Sequence, residues 1–156
     1  MATKPSRARC HPVRIYLDLC CFNRPFDDQG QVRVRLEAEA KLDIQDRICR
    51  EEVELAWSYI LDHENDANPF EERREAVAAW RHRAVADIDE TPEILARAHD
   101  MTEKGIRPKD ALHVACAIAA GCQYVLTTDD ALVRKARGLR GIRVVSPLDF
   151  IRETSP

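Results

Sequence analysis

The stretch that most constrains this chain runs from residue 108 to 130, PKDALHVACAIAAGCQYVLTTDD. It opens on Pro108, which suits the first turn of a helix because its missing N–H would have no partner there anyway. An alanine-rich apolar run follows and predicts a buried helix over residues 108–120. Gly121 breaks it. Residues 124–127 then read as a short strand, followed by Asp129 and Asp130. Asp110 therefore starts a buried helix, and Asp129 lies at the carboxyl end of a strand. A core built for packing alone would not choose acids at those places.

The rest of the chain repeats the alternation. Residues 13–18 (VRIYLD) are β-branched and aromatic and read as a buried strand. Residues 20–30, with Pro25 and Gly30, predict a loop or a broken helical turn. A helical pattern covers 32–51. Residues 54–58 (ELAWS) form a second strand, and 59–66 a helical segment set directly on it. Asn68-Pro69 breaks that segment. A charged helix follows over 70–83, whose inward side would use Phe70, Val77, Ala78 and Trp80. Residues 84–88 are a third, weak strand. Thr91-Pro92 is a capped helix start, and that helix ends near Gly105. After the central unit come a helix over 131–137, a strand over 142–146 and a terminal helix over 147–153. Strands alternating with helices predict a three-layer α/β/α sandwich around a mostly parallel sheet of four to five strands. In such sheets the ligand site lies beyond the carboxyl ends of the strands.

The bulk numbers set limits. With 156 residues, 45% hydrophobic and 33% charged, the chain is expected to be one globular domain, residues 13–156, behind a flexible lead, residues 1–12. The lead is polar and basic without the apolar middle of a secretory signal, so a cytoplasmic protein with no membrane association is expected. The net charge of -3 gives no bulk attraction to nucleic acid but leaves room for a local basic face. Six cysteines (Cys10, Cys20, Cys21, Cys49, Cys116 and Cys122) form no CxxC pair, which points to reduced thiols rather than a zinc site.

Several acids converge on the predicted carboxyl edge. Asp18 ends the first strand, Glu64 lies two turns after the second, and Asp129 ends the fourth. Asp110 begins the helix leading into that fourth strand. Each has an ordinary alternative. Asp129 could cap the next helix, Asp110 could complement a helix dipole, and Glu64 sits in a charged segment with Asp62 and Asp66. Asp18 is harder to explain away, because an acid closing an apolar strand is unusual. Together, several carboxylates in one cleft repel each other, and a hard divalent cation such as Mg²⁺ or Mn²⁺ resolves that repulsion. A bound cation can lower the pKa of a water and stabilise charge on a phosphorus centre.

These residues resemble PIN-domain nucleases, which include the VapC-like toxins of bacterial toxin–antitoxin pairs. The resemblance spans residues 14–151. It rests on IYLD at the first strand, SYILDHE after the second, KDALHVACAIAAG, and YVLTTDD at the fourth strand. CCFNRPFDDQ and NPFEERR resemble one branch of the family. The spacing D-x-x-H-x-A-x-A-x-x-x-G followed by L-T-x-D is specific only in combination. The resemblance implies a Mg²⁺- or Mn²⁺-dependent ribonuclease, often dimeric, with Asp18, Glu64, Asp110 and Asp129 as its acidic quartet. Thr127 would support the site and Asp130 would neighbour it. Two departures stand out. Leu19 follows the first acid, where the family often has a small or hydroxyl residue. Asp62 and Glu64 both lie near the place of the second acid.

The leading expectation is hydrolysis of an RNA phosphodiester, with Asp18, Asp110 and Asp129 holding the cation and Glu64 completing the cluster. Arg24, Arg73, Arg74, Arg107 and Lys109 are candidates for a phosphate-binding rim, each with solvated surface charge as the ordinary reading. His113, one turn after Asp110, reads as a packed or hydrogen-bonded support. A toxin would have an antitoxin that fills the cleft. The alternative motivated by Leu19 is a non-catalytic PIN-like module that binds RNA or a protein. A phosphotransfer domain with Asp18 as nucleophile fits poorly, because position 20 is a cysteine and the last strand, IRVVSP, ends without a lysine.

Overall fold

The computed structural model describes residues 11–156; most of the expected lead, and Cys10, lie outside the described residues. Five parallel strands form one sheet in the order β3-β2-β1-β4-β5. They are β1 (Val13–Leu17), β2 (Val53–Ser58), β3 (Ala84–Ile88), β4 (Tyr124–Leu126) and β5 (Arg143–Val145). Among the described residues, eight helices connect and flank them: α1 (Leu19–Asn23), α2 (Val32–Cys49), α3 (Tyr59–Asp66), α4 (Glu71–Ala79), α5 (Pro92–Glu103), α6 (Pro108–Ala119), α7 (Asp130–Lys135) and α8 (Pro147–Thr154). This is the α/β/α sandwich that the alternation predicts.

Strand burial follows position in the sheet. In β1, at the centre, Ile15, Tyr16 and Leu17 are consecutive and fully buried, as a strand covered on both faces requires. In β3, at the edge, no residue is fully buried, and Val85 is exposed. Chain direction reverses at β1. The β1–β2 crossover steps one way along the sheet, and the β3–β4 crossover steps the other. Right-handed crossovers then put α2 on one face, where it packs with α8, and α5 and α6 together on the opposite face. The reversal leaves a crevice at the carboxyl ends of β1 and β4.

The central unit folds as its sequence predicts. Thr91 caps α5 through Ile94 N, and Pro92 and Pro108 occupy the first turns of α5 and α6. Gly121 terminates α6 with φ of 75°, a left-handed conformation that costs glycine least, and Cys122 N closes the turn on Ala117 O. Arg14 ties the start of β1 to that helix end, donating to Ala120 O at 2.7 Å while pairing with Glu54. Ala111, Val114, Ala115, Cys116 and Ala117 have no exposed surface; their small side chains let α6 lie close to the sheet.

One local expectation is corrected and another is sharpened. The segment after Asn68-Pro69 is not one helix to residue 83. It is α4 followed by a 3-10 turn, Trp80–Arg83, that feeds β3. Its inward side is narrower than expected: Val77 is buried and Trp80 half-buried, while Phe70 and Ala78 are exposed. Residues 20–30 hold a short helix, α1, and a 3-10 turn, Arg24–Phe26, where Pro25 favours the tighter turn.

Candidate functional site

Asp18 stands at the carboxyl end of the central strand. Its backbone N–H continues the sheet by donating to Leu126 O, and its φ and ψ of -65° and 153° start α1. The carboxylate is held on both oxygens. Leu19 N donates to Oδ1 at 2.7 Å; Thr127 Oγ1 and Cys20 Sγ donate to Oδ2 at 3.2 Å and 3.4 Å. Thr127 is fully buried after β4 and also accepts from Asp129 N at 3.1 Å. The hydroxyl support that Leu19 cannot give from its side chain thus comes from Thr127, with the Cys20 thiol beside it. Sequence reasoning missed Cys20, because its reach depends on the phase of α1.

Asp18, Glu64, Asp110 and Asp129 line one open cleft of about 400 Å³, together with Leu19, Cys20, Asn23, Arg107 and Lys109. Asp129 also serves as the N-cap of α7, accepting from Ala131 N and Leu132 N through Oδ1. The capping reading and the cleft reading are therefore both true of the same residue. Of the two candidates after β2, Glu64 reaches the cleft. Asp62 faces elsewhere, accepting from Trp57 Nε1 at 2.9 Å and pairing with Arg81.

His113 reaches the acids from α6. It is 1% exposed. Its Nε2 lies 3.0 Å from Glu64 Oε1 and 3.6 Å from Asp18 Oδ1. Its Nδ1 lies 2.5 Å from Tyr16 Oη, which lies 2.6 Å from Ser58 Oγ. Tyr16 and Ser58 carried no signal beyond their positions in apolar strands. Asp18, Glu64 and His113 each offer an atom within 4.8 Å of the others, a spacing that suits a shared cation.

The electrostatics divide the acids. Asp110 is pushed above the usual carboxylate range by partial burial and by the neighbouring charges of Asp18 and Asp129. Burial also pushes Glu64 up, but the hydrogen bond and charge of His113, with Lys109 and His63, outweigh it and hold the carboxyl low. Burial pulls His113 down. Its hydrogen bond to Glu64 and the charges of Asp18, Glu64 and Asp110 reverse that and leave it raised.

The expected basic rim is only partly at the cleft. Arg107 and Lys109 line it. Arg24 pairs with Asp27 and Glu37. Arg73 donates to Phe26 O, pairs with Asp27 and stacks 4.5 Å over the Phe70 ring. Arg74 donates to Asn68 O. These three guanidinium groups are held by local partners and do not line the cleft. Asp130 is outside it as well, forming a bidentate pair with Arg33.

Comparison with known proteins agrees with the fold. The structure is similar to VapBC2 from Rickettsia felis bound to a DNA fragment from its promoter, with a TM-score of 0.55 at 13% identity over 85% of this chain and 97% of that one. It is similar to VapBC-1 from nontypeable Haemophilus influenzae, with a TM-score of 0.58 at 11% identity over 87% and 99%. It is also similar to PAE2754 from Pyrobaculum aerophilum, with a TM-score of 0.55 at 15% identity over 99% and 100%. No protein of curated function matches the chain by sequence. No helix among the described residues is long and apolar enough to cross a membrane. The family model for the PIN domain matches residues 15–138, which contain the sheet up to β4, the cleft and all four of its acids; the chain belongs to the PIN domain family.

Proposed function

We propose that the protein is a metal-dependent ribonuclease that hydrolyses RNA phosphodiester bonds. The observation that carries this reading is the convergence of Asp18, Glu64, Asp110 and Asp129 on one open cleft at the carboxyl edge of the sheet. An open, anionic cleft is a poor site for a phosphate by itself, and a dication makes it a good one. The donor set fits such an ion: carboxylate oxygens from separate elements, with one imidazole nitrogen near them. Asp18, Asp110 and Asp129 would hold Mg²⁺ or Mn²⁺, with Glu64 completing the cluster. When bound, the cation supplies Lewis-acid stabilisation of charge on the phosphate and a more acidic water.

The chain's own residues do the rest. Thr127 and Leu19 N keep the Asp18 carboxylate in one orientation. Glu64, kept ionised beside His113, is placed to orient a water or accept its proton. Arg107 and Lys109 offer positive charge at the rim for the flanking phosphates. The test is cleavage of mixed RNA with and without Mn²⁺, against an Asp18→Asn/Asp110→Asn double variant. Loss of cleavage in the variant is expected; equal cleavage sinks the reading. Calorimetry with Mg²⁺ and Mn²⁺ separates it from a non-catalytic RNA- or protein-binding module, which would bind neither ion up to millimolar concentration.

The similarity to VapBC assemblies supports a place in a toxin–antitoxin pair, with an antitoxin that covers the acidic cleft through a basic side chain. Co-expression with the product of an adjacent small open reading frame should suppress cleavage. The resemblance to a family that is often dimeric makes a homodimer one assembly to test, by sedimentation of the purified protein.

A further inference from the structure

We propose that His113 is a direct nitrogen ligand of the cation, together with Asp18 and Glu64, and that it makes the site prefer Mn²⁺ to Mg²⁺. This rests on the metal-dependent reading above and deepens it. Three observations carry it. The first is distance. Two donors each about 2.1 Å from one ion lie about 3.0 Å apart at a right angle and about 3.6 Å apart at a wider one. His113 Nε2 stands 3.0 Å from Glu64 Oε1 and 3.6 Å from Asp18 Oδ1.

The second is the fixed ring. An imidazole that binds a metal has its other nitrogen held by an outer partner, which sets the tautomer. His113 Nδ1 has that partner in Tyr16 Oη, and Tyr16 Oη is braced by Ser58 Oγ. With Nδ1–H donating to Tyr16 and Tyr16 donating to Ser58, Nε2 faces the two carboxylates, and a cation can take the place of the proton that Nε2 shares with Glu64. A lone pair facing two anions is repelled unless a proton or a cation stands between them. The third is burial. His113 is packed on α6 with 1% of its surface exposed, and Tyr16 and Ser58 with none. The ring is thus placed in advance of the ion, with no rotamer freedom left to lose on binding.

The consequence is selectivity. Mg²⁺ favours all-oxygen sites and gains little from imidazole, whereas first-row transition dications accept nitrogen readily. A site with one imidazole among carboxylates therefore favours Mn²⁺ over Mg²⁺. Asp110 and Asp129, which line the same cleft, supply the remaining oxygen ligands. Tyr16 acts as a positioning residue for the ring.

The experiment is pulsed electron paramagnetic resonance of the full chain loaded with Mn²⁺ alone, reading the hyperfine coupling to ligand ¹⁴N. Wild type and His63→Gln should both show the coupling. His113→Gln should lose it while still binding Mn²⁺, and calorimetry should show its Mn²⁺-over-Mg²⁺ preference reduced about tenfold or more. Tyr16→Phe should keep the coupling with weakened Mn²⁺ affinity. Should His113→Gln fail to fold by circular dichroism, ¹⁵N-histidine labelling of the His63→Gln protein replaces it, because the coupling must then change isotope. Bound Mn²⁺ without nitrogen coupling in wild type overturns the role of His113 and leaves the cation site standing. Coupling that persists in His113→Gln overturns it likewise. Absence of Mn²⁺ binding in wild type overturns both this proposal and the metal-dependent reading beneath it.

Discussion

Two charged regions adjoin α1, and they treat charge in opposite ways. Around α2 and the Arg24–Phe26 turn, opposite charges are paired. Glu37, 1% exposed, accepts from Arg33 and Arg24 through one oxygen; Arg33 continues to Asp130, and Arg73 meets Asp27. In the cleft, Asp18, Asp110 and Asp129 gather with like charge, and Asp110 is raised by partial burial and by the charges of the other two. A protein selected for stability alone would arrange both regions like the first. The second leaves repulsion standing, which is what the proposed cation site would cost the fold while no cation is bound. Local pairing thus marks structure, and tolerated repulsion marks the site.

The comparison can be broken from either side. The largest effect belongs to the cleft. Asp18→Asn/Asp110→Asn should reduce Mn²⁺-dependent RNA cleavage at least about a hundredfold, whereas Arg73→Ala should leave it within about twofold. A strong loss in Arg73→Ala would return that arginine to the RNA surface. Next comes the paired region. Glu37→Gln should cost about 2 kcal/mol in urea unfolding, because Arg24 and Arg33 lose a buried partner. Its Mn²⁺ affinity should not change. Glu37 already leaves one buried oxygen, Oε2, without a partner, so a smaller loss would show that the pair barely offsets its own desolvation.

A smaller effect of opposite sign is expected in the cleft. Without metal, Asp110→Asn should raise Tm by about 2 °C, a modest gain because the carboxylate is only half buried. The pH dependence follows from the raised value of Asp110. A carboxyl whose folded pKa is raised contributes stability that is present below its unfolded pKa and lost as pH rises through the folded one. The advantage of the Asn variant should therefore appear as pH rises through the acid range and vanish at low pH. Thermal melts of both proteins between about pH 3 and 7 test it. Saturating Mn²⁺ should reverse the order, stabilising wild type more than the variant. The smallest effect belongs to the exposed end of the paired network. Asp130→Asn should shift Tm by less than about 1 °C and less still in high salt, although its pair with Arg33 is bidentate.

Much of this was legible in the chain. The strand–helix alternation, Pro108 at a helix start and Gly121 at its end follow from backbone chemistry that acts over a few residues, so they could be placed without the fold. Parallel strands share one carboxyl edge, which collected Asp18, Glu64 and Asp129, with Asp110 at the start of the helix leading into β4. The charged helix over 70–83 was read less well. Few apolar residues mark its inner face, and only Val77 turned inward fully.

What the tertiary structure decided was side-chain direction. Asp62 and Glu64 are two residues apart in α3, and at 3.6 residues per turn they point about 200° apart. Only the packing of α3 shows which one meets the cleft. The same holds for the arginines, since a guanidinium joins a phosphate rim only if no nearer acid or carbonyl takes it first. It holds too for the line from Ser58 through Tyr16 to His113, which joins two strands and a helix separated by up to 97 residues. The sequence determined that acids would gather at one edge of a parallel sheet, because period and punctuation are local. Which partners would hold them was settled by how α1, α3 and α6 dock on that edge, because a contact between distant segments exists only once the core has brought them together.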